Sequence, residues 1–401
     1  MSRTRQKYHF TPRIGWTNDP NGLICIEGTY HLFFQHYPED THWGPMHWGH
    51  AVSSDLLTWE ELPIAVWPTE TEYIFSGSTI LDAENVSGLG DGEKPALLAF
   101  YTAHNPVTGE QKQCLAYSHD YVNFKKYQGN PLIDNDINQP GFQKDFRDPK
   151  VFRNAVTGGY GMVLAANDAI EFWGSADLLH WQKTGAFYPG QYGLAGLCEC
   201  PDFFPMTVEG ETKYLLTMSM IFTEEGAAEE AHVMQYFVGD FDGKCFVNPQ
   251  AFQENHLLDF GPDNYAQVTF ANTEMPLALG WGEDWNVARR NSEVGYFGKM
   301  TLARELTLTK TEGQYFLSQN PIAWCDANSD TVWKKETVLQ PGDCFEAAGL
   351  CIVNAGNRLC VDGRRIARMS GESTVVQICY DNGYLELFAD EGRIVYSKNI
   401  E

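Results

Sequence analysis

Asp19, Asp148 and Glu199 stand in three short motifs, WTNDPNG (16 to 22), FRDPKVF (146 to 152) and CECPDFF (198 to 204). Each precedes, by a comparable length of chain, one aspartate of a recurring segment: Asp55, Asp177 and Asp240. If those segments superpose, the three carboxyl groups fall on equivalent early strands and converge on one pocket. Two carboxyl groups facing one bond, one ionised and one kept protonated, are what cleavage of a glycosidic bond requires, and a third can orient ring hydroxyls. Taken singly, each motif has a plainer reading: a run of turn formers, an Arg-Asp pair ahead of a strand, and another turn. Three at matching places in a repeat are not independent. Their surroundings also differ in the direction such chemistry needs. Arg147 is always cationic and favours an ionised carboxylate beside it, whereas Glu199 sits among Leu197, Cys198, Cys200, Pro201 and Phe203, an apolar setting that favours the protonated acid.

The elements that must position these groups read as short strands. TYHLFFQHY (29 to 37), ALLAFYTA (96 to 103), YGMVLAAN (160 to 167) and KYLLTMSM (213 to 220) are apolar runs bounded by Gly, Pro, Asp or Asn, and capped segments of helical period are hard to find. The chain is therefore expected to be all-β. SSDLLTW (53 to 59), SHDYVNF (118 to 124) and SADLLHW (175 to 181) share the pattern Ser-x-Asp-x-x-x-Trp/Phe, and VGDFDGKCF (238 to 246) continues it with Asp240 as the matching aspartate. Chance recurrence of Ser-Asp turns is the bland alternative, but a repeat of roughly 60 residues is the signature of a radial array. It predicts five antiparallel blades around a central channel over residues 1–304. From 305 to 401 the texture changes. LCIV, RLCV, RRIARM, TVVQICY, YLELFA and RIVYS alternate with NAGN, DG, SGES, DNG and DEG, which predicts consecutive hairpins in a small, shortened antiparallel β-sandwich. Within it Tyr384-Leu385-Glu386-Leu387-Phe388 alternates apolar and polar, so one face is expected to be buried, partly against the propeller.

Composition excludes several partners. With 53 acidic against 28 basic residues in 401, the formal charge is -25, which repels phosphate backbones and anionic lipid surfaces. No nucleic-acid and no membrane partner is expected; a small molecule, or a second copy of the chain in a homo-oligomer, is compatible. The start MSRTRQKYHF lacks the apolar stretch of a secretory signal, and the ten cysteines show no small-domain spacing, so a cytoplasmic protein with free thiols is expected. Aromatic residues make up 13%, a surplus that suits stacking on sugar rings as well as core packing.

YHFTPRIGWTNDPNGL, WGPMHWGHAVSSDLLTW, FSGST, FRDPKVF, ECPDFF and LDFGPDNYAQ, in this order, resemble the motif series of glycoside hydrolase family 32, the β-fructofuranosidases. The resemblance covers residues 8 to 300 and is weaker over YLELFADEGRIVYS (384 to 397). It implies a five-bladed β-propeller carrying a C-terminal β-sandwich and a hydrolysis that retains anomeric configuration. By motif, Asp19 corresponds to the nucleophile, Glu199 to the acid/base and Asp148 to the residue that holds fructose hydroxyls. Asn18, Gln35, Trp43, Phe75 and Ser76 match positions that shape the fructose pocket, with Arg147 beside them. The implied substrate is sucrose, sucrose 6-phosphate or a short fructo-oligosaccharide, with no metal and no cofactor. Thr17, where Met or Leu is more common, and Cys198, where an aromatic residue is frequent, depart from the pattern and bear on the leaving-group side.

Rival readings are weaker. His36, His42, His47 and His50 crowd one stretch, but their spacing fits no ordinary structural zinc site. Cys198 and Cys200 flank Glu199, and strict alternation along a strand turns both to the opposite face, into packing. A sugar-binding propeller without catalysis would have lost a carboxylate. A fructosyltransferase would use the same covalent intermediate with a sugar in place of water, and the sequence leaves that alternative open.

Overall fold

The computed structural model describes residues 4–224, 226–322 and 329–400. Seven sheets account for nearly all of its regular structure. Blade one comprises Gly15–Ile26, Thr29–Tyr37, His47–Ser53 and Glu60–Val66. Blade two runs from Tyr73–Asp82 through Ala96–His104 and Gln111–Ser118 to the short Lys125–Lys126. Blade three is Phe146–Arg153, Tyr160–Ala166, Ala169–Ser175 and Gln182–Phe187; blade four is Leu197–Val208, Glu211–Phe222, Ala231–Phe241 and Phe246–Val247. The first strands of successive blades pack against one another, so they line the axis of a five-bladed propeller.

The strands read as continuous apolar runs because both faces of each blade are buried. Along the second strand of blade two, Leu97, Ala99 and Tyr101 pack toward blade one with Phe33 and Trp48, joined by Ile74 of their own blade, while Leu98 and Phe100 pack toward blade three with Met162 and Leu164. Blade three repeats the division: Val163, Ala165 and Phe172 turn instead to Phe203, Leu216 and Met218 of blade four.

The recurring Ser-x-Asp segment is a turn between the third and fourth strands. Oδ1 of Asp55 accepts from the backbone N–H groups of Leu57 and Thr58, and Asp120 and Asp177 do the same in the next two blades. Leu56, Tyr121 and Leu178 each take φ near +64 in the bend. In blade four that role belongs to Asp242, which accepts from Lys244 and Cys245, and not to the expected Asp240, which pairs with Lys213. Counted from Asp242, Phe246 occupies the aromatic position of the motif.

Blade five holds Tyr265–Thr269, Leu277–Trp281, Arg304–Thr311 and Gln314–Pro321. A division after residue 304 would therefore cut this sheet, which extends to Pro321. The repeat is hidden in sequence because a long connection separates the second and third strands. It carries a helical turn, Trp285–Ala288, capped by Asp284, and Tyr296–Phe297, which pairs in parallel with Gly15 and Trp16 of blade one. That pairing, with the Ile24 to Ala271 bridge, closes the ring.

Two further four-stranded sheets form the sandwich. One orders Val332–Leu339, Thr374–Asp381, Tyr384–Ala389 and Ile394–Asn399; the other orders Cys344–Ala347, Leu350–Asn354, Arg358–Val361 and Arg364–Arg368. The Asp-Gly and Asn-Gly turns adopt the left-handed backbone that sequence demands of them: φ is +50 and +75 at Asp362 and Gly363, +46 and +92 at Asn382 and Gly383. Leu385 and Leu387 enter the core between the sheets with Ile352, Leu359 and Ile378. The alternate residues are buried as well, so the expectation of one buried face is corrected to two. Tyr384 donates to the backbone oxygen of Asp263, and Glu386 meets both Arg304 of blade five and His9 of the N-terminal segment. Arg304, itself fully buried, also contacts Asp259 and Ser397, and His9 bridges Glu386 to Asp381.

Candidate active site

The first strand of every blade has an irregularity in its pairing near the carboxylate cluster, and blade one has a second between Asn21 and Ile24. Those near the cluster fall between Thr17 and Pro20, Ile74 and Gly77, Glu199 and Asp202, and Tyr265 and Val268, and in blade three opposite Val163 to Ala165. A bulge bends a strand and re-aims side chains, which is why such features gather next to active sites. In blades three, four and five the bulged residues Asp148, Cys200 and Ala266 are held at φ +64, +44 and +54, a conformation that costs an L residue on the order of 1 kcal/mol. The residue just before each of them, Arg147, Glu199 and Tyr265, turns its side chain into the same cluster.

The resulting cavity has a volume of about 710 Å³ and is lined by all nine residues singled out in the sequence: Asn18, Asp19, Gln35, Trp43, Phe75, Ser76, Arg147, Asp148 and Glu199. Both oxygens of Asp19 are engaged, Oδ1 by the Asn18 amide at 3.0 Å and Oδ2 by the Ser76 hydroxyl at 2.6 Å. Asn18 is fixed in turn by the Trp16 indole N–H, and Gln35 by donation to Asn21. Asp148 is buried; its Oδ2 accepts from the Cys200 backbone N–H at 2.8 Å. Burial pushes its carboxyl up to about 7, the charges of Asp19 and Glu199 act in the same direction, and Arg147 opposes them. Glu199 accepts from Arg147 at 3.1 Å through Oε1 and from the Tyr265 phenol at 2.9 Å through Oε2. Burial raises its pKa above the ordinary value, Asp19 adds to the rise, and Arg147 and Tyr265 restrain it. Arg147 is held by Asp145 and by Gln111.

Cys200 corrects the sequence expectation. The bulge breaks the alternation that would have turned it away, and its thiol lies 3.4 Å from Oδ2 of Asp19 and 3.6 Å from Oδ2 of Asp148. Burial and these carboxylates together raise the thiol's pKa well above the usual range, so it is a neutral spacer between two acids. Cys198 does behave as expected, packing in the core beside Met220. Neither Cys198 nor Thr17 lines the cavity; the Thr17 hydroxyl donates to the backbone of Gln35. The four histidines have separate partners: the Trp16 carbonyl for His36, Asp40 for His42, the Pro45 carbonyl for His47 and His31 for His50. Among the described residues no group of three or more His, Cys, Asp or Glu is placed to hold a metal ion.

Sequence reasoning missed Tyr265, His104 and the wall formed by Trp285 and Arg289. Tyr265 lies inside the quoted LDFGPDNYAQ, and its place one residue before the blade-five bulge is the signal that would have found it. Trp285 and Arg289 come from the connection that interrupts blade five; Arg289 pairs with Glu230. At the mouth Trp43 is 45% exposed and meets Phe75 edge-on.

The family model described as the glycosyl hydrolases family 32 N-terminal domain matches residues 9–321, and its end coincides with the last strand of blade five. The chain belongs to glycoside hydrolase family 32. It is 38% identical over 403 residues to a levanase of Bacillus subtilis, covering 96% of this chain and 58% of that protein. It is 37% identical over 319 residues to an invertase of Schizosaccharomyces pombe, covering 76% of this chain and 53% of that one. The chain thus spans little more than half the length of these curated relatives. Among solved structures, the family 32 architecture is matched by a β-fructofuranosidase of Schwanniomyces occidentalis complexed with fructosyl-erythritol. That match has a TM-score of 0.85 at 27% identity and covers 100% of this chain and 92% of that one. An exo-inulinase of Aspergillus awamori gives the same TM-score at 26% identity, covering 99% and 92%.

Proposed function

We propose that this chain is a retaining glycoside hydrolase that releases terminal non-reducing β-D-fructofuranosyl residues from sucrose or related fructosides. The observation that carries the reading is that Asp19 and Glu199 meet in one cavity. Each accepts hydrogen bonds at both oxygens, but burial raises the pKa of Glu199 and biases it toward its protonated form. In this scheme Asp19 attacks the anomeric carbon as Glu199 gives its proton to the departing glycosidic oxygen, forming a fructosyl ester. Esterification removes the charge of Asp19, one of the influences that raise Glu199, so Glu199 becomes more acidic when it must act as base toward water. Asp148, buried and with its carboxyl pushed up to about 7, can both donate to and accept from the hydroxyls of the fructosyl ring. The relatives named levanase and invertase support the same substrate class.

Fructose release by the purified protein from sucrose, sucrose 6-phosphate and short levan- or inulin-type oligosaccharides tests the proposal; no fructose from any of them overturns it. Lys144 and Arg289 at the cavity mouth are the basic groups that a phosphorylated leaving group would meet, which is why the phosphate ester belongs in the assay. Longer oligosaccharides dominating at high sucrose would make the protein a fructosyltransferase. A cytoplasmic location belongs to the same proposal, supported by nine free cysteines among the described residues, and is tested by cell fractionation.

A further inference from the structure

His104 ends the second strand of blade two and lines the cavity, yet nothing in the proposed chemistry uses it. Its ring is stacked on Phe75, with centroids 4.4 Å apart and planes 14° from parallel. Nδ1 is shut off from solvent and has no hydrogen-bond partner among the described residues. An orphaned buried N–H is costlier than an orphaned lone pair, so the proton belongs on Nε2, the ring nitrogen that is not shut off. Burial, helped by the charge of Arg147, lowers the pKa of the ring to about 4, so it is a neutral donor at working pH.

The height of His104 in the cavity decides what it can touch. It pairs across the sheet with Tyr73, three positions before Ser76, which binds Asp19. Ser78, two positions further, is buried and donates to the backbone oxygen of Pro149, whereas Tyr73 is half-buried, so the strand runs inward from Tyr73. The bulge between Ile74 and Gly77 shortens the rise, so at ~3.3 Å per paired residue Tyr73 lies roughly 7 Å outward of Ser76, about one sugar ring from it. Trp43, 6.4 Å from Tyr73 and partly exposed, marks the same level.

We infer that His104 is a specificity-determining residue of the leaving-group subsite, donating from Nε2 to a hydroxyl of the sugar attached to the fructosyl unit while its face and that of Phe75 form one wall. This rests on the fructosidase reading above, and deepens it to a preference for substrates whose leaving group is itself a hydroxylated ring.

The test compares sucrose with methyl β-D-fructofuranoside, which carries the same fructosyl unit without a second sugar, in the full chain and in His104→Ala and His104→Gln. The loss of one donor should reduce kcat/KM for sucrose about tenfold in His104→Ala, mostly through KM, and severalfold less for the methyl fructoside. His104→Gln, which keeps a donor, should recover part of the sucrose activity. Equal losses on both substrates would mean that His104 only props Phe75 and would overturn the inference. Cleavage of neither substrate by the wild-type chain would overturn the fructosidase reading and the inference with it, an outcome distinct from the first.

Discussion

Tyr265 and Glu199 come from neighbouring blades, and the phenol of the first donates a 2.9 Å hydrogen bond to Oε2 of the second. The phenol cannot readily yield its own proton, because burial and then the charge of Glu199 raise its pKa well above the usual range. It acts as a fixed donor that favours the ionised form of Glu199. Tyr265→Phe removes that donor and should raise the pKa of Glu199 further. An acid that must be protonated then stays active to higher pH, so the alkaline limb of the kcat/KM profile should move upward. A limb that moves downward, or stays, would show that Glu199 is not the group titrating there.

Asp19→Asn should lower turnover of sucrose by about 1,000-fold or more while preserving the fold, since the amide has the same shape but is no nucleophile. Circular dichroism and the melting temperature check the fold. Residual activity of more than a few per cent, in a preparation free of other invertases, would remove Asp19 from that role.

For Glu199→Gln the expected loss depends on the leaving group. Sucrose, whose glucose would have to leave as an alkoxide without protonation, should suffer by about 100-fold to 10,000-fold. An activated aryl fructoside should still deliver a pre-steady-state burst, with slow turnover afterwards because no base activates water. Equal loss of the burst with both substrates would contradict the acid assignment.

The three carboxylates were legible because each lies within two residues of a proline in a distinctive short motif, and the three motifs fall at comparable places in the repeat. Tyr265 and Cys200 were not legible to the same degree. Their aim is set by bulges, and a bulge is a property of pairing between strands that a single strand's alternation cannot reveal. The same limit explains the boundary: Arg304–Thr311 joins blade five only after a long connection, and the turn that follows it, Glu312-Gly313, lacks the Ser-x-Asp pattern, so the period stops in sequence before the sheet stops in space. In blade four the turn survives but shifts to Asp242, where Asp240 had looked equivalent.

The join between propeller and sandwich should depend on pH through His9. Burial lowers its pKa, but hydrogen bonds and charge from Asp381 and Glu386 more than reverse this and hold it at about 9, while both carboxyls are held below their ordinary values. A raised histidine contributes stability that is complete below about 6.5 and is lost as pH rises through 9, on the order of 3 kcal/mol for a shift of this size. The depressed carboxyls contribute above their ordinary range and lose it in acid. The melting temperature should therefore fall between pH 6.5 and 9 in the native chain and vary much less in His9→Gln, which should already be destabilised at pH 6. A variant with the native slope would show that His9 is not the titrating group.

The connection that closes the ring, through Tyr296 beside Gly15, also delivers Trp285 and Arg289 to the cavity wall. A chain leaving the ribosome amino end first therefore carries Asp19, Asp148 and Glu199 well before the last piece of their enclosure has been synthesised. Until that segment emerges, blade one has no parallel partner strand and the three acids face bulk water across an open gap. Nascent and prematurely terminated chains should then be inert toward sugars, and the first appearance of activity during synthesis would time the moment at which the ring shuts.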